Sequence, residues 1–196
     1  MVKRSLQRLI VLFVILVLFG PTQLVAAQER VADEVSYTPA RFGLALLGGA
    51  AYDPDHIGLI IIQGQMLLDY EQVAWHKAPD DLKMKFEVNA GLTLDGRDRS
   101  LISVNMMALR YLGRYTMANC IPYVEAGIGL IYTDFKVDGQ GLNLNFNPQA
   151  GVGFEYALSG GGAVTTALRL HHLSNGNTYK ENRGVNSALL LIGYLF

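Results

Sequence analysis

From Arg41 onward the chain alternates between hydrophobic and polar positions, in segments of roughly ten to fourteen residues divided by turn residues, as membrane barrels do. Successive side chains on a strand point to opposite faces, so each segment predicts a strand with one apolar and one polar face. Eight such segments can be counted. The first runs from about Arg41 to Tyr52 and ends at Asp53-Pro54-Asp55. The second, about His56 to Tyr70, sets Ile60, Ile62, Met66, Leu68 and Tyr70 against Gln63, Gln65 and Asp69. The third sets Met84, Phe86, Val88, Ala90, Leu92 and Leu94 against Lys83, Lys85, Glu87, Asn89, Gly91 and Thr93. Asp95-Gly96-Arg97-Asp98 then gives a hairpin signal into the fourth, with Ile102, Val104, Met106 and Ala108 on one face.

The fifth segment, about Ile121 to Phe135, opposes Val124, Ala126, Ile128, Leu130 and Tyr132 to Glu125, Gly127, Gly129 and Thr133. The sixth, about Asn143 to Leu158, opposes Leu144, Phe146, Ala150, Val152, Phe154 and Tyr156 to Asn145, Asn147, Gln149, Gly151, Gly153 and Glu155. Ser159-Gly160-Gly161-Gly162 turns into the seventh, and Asn186 to Phe196 forms the eighth. A soluble sandwich also uses strands of this kind, with its charges in water. Two features favour a membrane barrel: continuous apolar faces with aromatics, and an aromatic, apolar ending at Tyr194-Leu195-Phe196. The expected fold is all-β, an eight-stranded antiparallel transmembrane β-barrel. Its apolar faces would meet lipid, and its polar set would pack the interior, where charges must pair. An even strand count fits closure, which removes sheet edges.

Composition refines the address. Residues 1–27 carry Lys3, Arg4 and Arg8, an apolar run from Leu9 to Phe19, and small residues at Val25 and Ala27. This is the pattern of a secretory signal peptide. A membrane anchor is the alternative, but the run is short for a span and ends in Gly20-Pro21. Residues 28–39 read as a polar N-terminal leader, and 40–196 as the barrel domain. Charged residues are only 17% of the chain, and the net charge of −1 gives no sign of nucleic-acid binding. The single cysteine excludes an internal disulfide. No zinc-type Cys pairing, His-Glu-x-x-His or Gly-x-Ser-x-Gly motif is present, so neither a metal nor an organic cofactor is expected.

The unusual chemistry lies in the seventh segment. Val164, Thr166, Leu168, Leu170, His172 and Ser174 share one face, and His171 lies on the other. A base and a hydroxyl side by side on an apolar face suit nucleophilic attack on a lipid. The plainer alternative places both in the headgroup zone, where polar side chains cost little. Counting back from Phe196, Asn186 falls on the same outward side as the eighth segment's Ala188, Leu190, Ile192 and Tyr194. Antiparallel pairing of the last two strands would therefore bring His172, Ser174 and Asn186 together near the outer end.

Leu170-His171-His172-Leu173-Ser174-Asn175-Gly176-Asn177, with Asn182-Arg183-Gly184-Val185-Asn186-Ser187, resembles the lipid A 3-O-deacylases. Pro122 to Gly129 and Asn145 to Gly153 are similar to that family as well. The resemblance implies an outer-membrane esterase with Ser174 as nucleophile and His172 as base. It also implies that Asn175 and the backbone near Gly176-Asn177 help hold the oxyanion. The family pattern has a glutamate where this chain has Asn186. An amide still accepts a proton from histidine but supplies no charge to the imidazolium. Glu181 is the alternative acid, if its loop folds inward. The implied partners are lipid A of lipopolysaccharide and outer-membrane lipid, with the chain a monomer or a homodimer. A non-catalytic structural or adhesion barrel and a phospholipid esterase are the competing readings.

Overall fold

A computed structural model describes residues 39–54, 56–74, 76–97 and 99–196. The expected signal peptide and, Pro39 apart, the leader lie outside the described residues, as do the turn residues Asp55 and Asp98. The alternating segments form strands β1 (Arg41–Asp53), β2 (Ile57–Asp69), β3 (Leu82–Thr93), β4 (Ser100–Tyr111) and β5 (Cys120–Thr133). They continue as β6 (Leu144–Phe146), β7 (Gln149–Ala157), β8 (Ala163–Leu173) and β9 (Val185–Leu195). All pairings are antiparallel. Consecutive strands pair, except that β6 and β7 both pair with β5 rather than with each other, and β9 returns to β1 to close the ring. One helical turn, α1 (Tyr70–Val73), follows β2, and a 3₁₀ turn spans Gly113–Tyr115.

The sixth segment is not the single strand expected. It breaks at Asn147-Pro148 into β6 and β7, which occupy one position of the wall, both pairing with β5. Proline has no N–H to give to a ladder, so continuous pairing stops there. The break is still bridged: the His172 N–H donates to the Pro148 carbonyl at 2.9 Å. The alternation survives it, with Asn145, Asn147 and Gln149 buried while Leu144, Phe146 and Val152 face outward. The fold is an eight-stranded antiparallel barrel.

Outward positions form an apolar belt that includes Leu46, Ile62, Val104, Ile128, Leu168 and Ile192. Inside, Arg169 is fully buried and bonds Glu87 with both terminal nitrogens, at 2.6 and 3.0 Å. Its Nε bonds Glu125 at 2.5 Å, and Lys85 pairs with both carboxylates. Two cations thus meet two anions, so the cluster is neutral and each desolvated charge has a partner. The interior is not polar throughout, however. Leu47, Leu59, Ile61, Leu189 and Leu191 line a greasy wall formed by β1, β2 and β9. These strands are apolar on both faces, one meeting lipid and the other filling the lumen.

One irregularity positions the site. Along β1 and β9, Ala51 opposes Ser187, but the next pair is Asp53 with Asn186. Tyr52 is therefore an extra residue, a β-bulge. Strict alternation would turn Asp53 to the inside, like Ala51. The bulge shifts the parity by one and sets Asp53 opposite the outward-facing Asn186.

Candidate active site

β8 ends and β9 begins at the rim remote from Arg41 and Leu195, where β1 also ends. Register places His172 directly opposite Asn186. Nδ1 of His172 lies 2.7 Å from Oδ1 of Asn186. The other end of that amide is fixed as well: Asn186 Nδ2 donates to Asp53 Oδ2 at 2.9 Å. Arg183 in turn donates to Asp53 Oδ1 at 2.5 Å. The chain of contacts decides the imidazole tautomer. A carboxylate only accepts, so the amide must present its NH₂ to Asp53 and its oxygen to His172. An amide oxygen only accepts, so Nδ1 carries the proton and Nε2 keeps its lone pair.

Ser174 continues β8 as an isolated bridge to Phe146 of β6. Two backbone bonds hold it, Phe146 N–H to the Ser174 carbonyl at 2.8 Å and Ser174 N–H to the Phe146 carbonyl at 3.1 Å. The structure thus brings His172, Asn186 and Ser174 to one end of one face. The Ser174 hydroxyl makes no hydrogen bond to His172 among the described residues. Nucleophile–base contacts are often loose until substrate is bound.

The loop after Ser174 is built by its own polar groups. Asn175 is only 2% exposed, and its backbone N–H donates to Asn182 Oδ1 at 2.7 Å. Its side chain donates to the Glu181 carbonyl at 2.9 Å. The Asn175 amide is therefore committed to the loop rather than to the outer face. Gly176 and Asn177 both have positive φ, 63° and 62°, and Thr178 N–H returns to the Asn175 carbonyl. That is the signature of a type I′ turn, which glycine and asparagine tolerate. The N–H groups of Gly176 and Asn177 have no partner among the described residues. Glu181 does not reach His172; its carboxylate pairs with Lys180 at 3.6 Å, and both are exposed. His171 points inward, and its Nε2 has no partner among the described residues. No group of three or more His, Cys, Asp or Glu side chains gathers at metal-binding distance among the described residues.

A family model described as lipid A 3-O-deacylase (PagL) matches residues 64–195. The chain belongs to the lipid A 3-O-deacylase family. Its fold matches the crystal structure of the outer membrane enzyme PagL with a TM-score of 0.57 at 19% identity. The match covers 77% of this chain and 97% of that one. Neisserial surface protein A (NspA) matches with a TM-score of 0.58 at 14% identity, over 80% and 94% of the two chains. At these identities the likeness is one of fold. No curated protein matches the chain. This PagL-family chain shares with both neighbours the fold of a closed β-barrel.

Sequence reasoning missed three residues around His172. Asp53 read as a turn former, because the bulge that re-aims it depends on pairing with β9 and leaves no trace in the alternation of β1. Arg183 read only as part of a motif. Gly184, against the imidazole edge, had a signal in its position just before the last strand, but no strand pattern says what it touches.

Proposed function

We propose that this family member is a serine esterase that cleaves the acyl chain ester-linked to the 3-position of lipid A. The observation that carries the reading is the oriented pair His172–Asn186, with Ser174 two residues from His172 on a face turned to lipid. Polar side chains held in a fixed arrangement on such a face are costly unless used.

In this reading the rim bearing His172 lies at the outer leaflet, since small barrels keep their termini in the periplasm and their longer loops outside. The apolar outer face just below, with Leu170 opposite Ala188 and Leu168 opposite Leu190, receives the acyl chain. Ser174 Oγ attacks the ester carbonyl while Nε2 of His172 takes its proton. The exposed N–H groups of Gly176 and Asn177 are the candidate donors to the tetrahedral oxyanion, in place of the committed Asn175 side chain. Collapse breaks the bond to the sugar oxygen, which leaves as the 3-hydroxyl with the proton from His172. Water then attacks the acyl-serine, giving a proton to Nε2; the acyl–Oγ bond breaks, Ser174 Oγ takes that proton back, and the free fatty acid departs. Asn186 holds the imidazole but brings no charge to it.

Purified folded barrel incubated with lipopolysaccharide and, separately, with phospholipid vesicles tests the reading. Release of 3-hydroxy fatty acid from lipopolysaccharide alone is expected. Release from phospholipid instead would make it an esterase of another lipid, and release from neither would leave a non-catalytic barrel.

A further inference from the structure

We infer that Asp53 is a positioning residue for His172, acting through the Asn186 amide. The inference rests on the esterase reading and goes beyond it, because Asp53 lies outside the span that the family model matches. The problem it addresses is specific to an asparagine in the third position. A carboxylate there binds the histidine Nδ1–H with either oxygen, so its orientation is immaterial. An amide has two different ends. Turned one way it accepts from Nδ1–H and leaves Nε2 free as the base. Turned the other way it offers N–H, favours the tautomer protonated on Nε2, and removes the base.

The structure contains the element that removes this ambiguity. Asp53 Oδ2 accepts from Asn186 Nδ2 at 2.9 Å, although 133 positions separate the two residues. Only the NH₂ end of the amide can face a carboxylate, so Oδ1 is left for His172 at 2.7 Å. Asp53 is itself held by Arg183, whose guanidinium occupies its other oxygen. The Tyr52 bulge puts Asp53 on the outer face at all, and bulges next to active sites commonly re-aim a side chain in this way. Asn186 and Asp53 together do in two steps the orienting work of one carboxylate. The Arg183 ion pair makes this mainly a matter of geometry rather than of charge donated to the imidazolium.

The test is a cycle of variants in the purified, folded barrel, with deacylation of lipopolysaccharide as the readout. Asp53→Ala should lower kcat roughly 10- to 100-fold, within the range of acid–base contributions, with KM little changed. Asp53→Asn should fall between it and the unmodified chain, since its oxygen can still accept from Asn186. In an Asn186→Glu background the same Asp53→Ala change should cost less than about twofold, because a carboxylate needs no orienting. An equal loss in both backgrounds would show a merely structural role and overturn the inference, as would undiminished kcat in Asp53→Ala. The tautomer can also be read without turnover, from the ¹⁵N shifts of His172 in detergent micelles. The Nδ1–H form should dominate in the unmodified chain and become mixed in Asp53→Ala. An unmodified chain that releases no fatty acid but shows this change would sink the esterase reading and keep the positioning role. An active chain with no change in tautomer would sink the positioning role alone.

Discussion

Gly184 lies against the imidazole of His172: a Cβ built on it falls 2.6 Å from Cε1 and 3.2 Å from Nε2 of the ring. Its φ is not in the left-handed region, so space rather than backbone conformation calls for glycine here. Gly184→Ala should therefore leave the barrel folded and push the ring off Asn186. Misplacement by about 1 Å costs up to 10²-fold in rate, so deacylation should fall about tenfold or more. Kinetics alongside heat-modifiable gel migration check it; unchanged kcat would mean that the ring has room to give.

Ser174→Ala and His172→Ala should each abolish deacylation without unfolding the barrel. Neither side chain belongs to the interior, and Ser174 is tied to β6 by backbone bonds that an alanine retains. Fatty-acid release and gel migration measured on the same preparations check both halves. Retained activity in either variant would place the chemistry elsewhere.

Asn186→Ala should lower the rate by freeing the imidazole, while Glu181→Ala should leave it within about twofold. The difference follows from geometry, since Nδ1 of His172 is bonded to Asn186 and the Glu181 carboxylate is paired with Lys180. Asn186→Glu should raise the rate, because a carboxylate also stabilises the cation formed in attack. The nearby Asp53 carboxylate opposes that gain by like-charge repulsion. Initial rates for the three variants decide it, and a loss confined to Glu181→Ala would reverse the assignment.

Much of this was legible in the alternation of side chains. Charges such as Lys85, Glu87 and Arg169 on otherwise regular strands required a lumen in which to pair, and they pair there. Counting back from Phe196 put Asn186 on the same outward side as His172 and Ser174, and the pairing of β8 with β9 sets it directly opposite His172. What was not legible depends on more than one strand. Pro148 broke the sixth segment because a ladder needs donors on both sides. Asp53 changed face through a bulge that exists only relative to β9. The polarity of Asn175 said nothing of its direction, which is set by Asn182 and Glu181 across the loop.

The interior cluster should govern stability rather than chemistry. Arg169→Ala leaves Glu87 and Glu125 buried with Lys85 as their only cation in the cluster, and breaking a buried ion pair costs about 3–5 kcal/mol. Arg169→Met combined with Glu87→Gln restores neutrality and should recover part of that loss. Urea unfolding of the barrel in detergent measures both. A single variant as stable as the unmodified chain would show that water enters the lumen and solvates the two carboxylates.

The most direct test is mass spectrometry of lipid A from Gram-negative cells producing the unmodified chain, compared with cells producing Ser174→Ala. The lipid A should lose one 3-hydroxyacyl chain in the first and remain fully acylated in the second, with both barrels folded in the outer membrane. Fully acylated lipid A in both, or the same loss in both, would contradict an esterase built on Ser174.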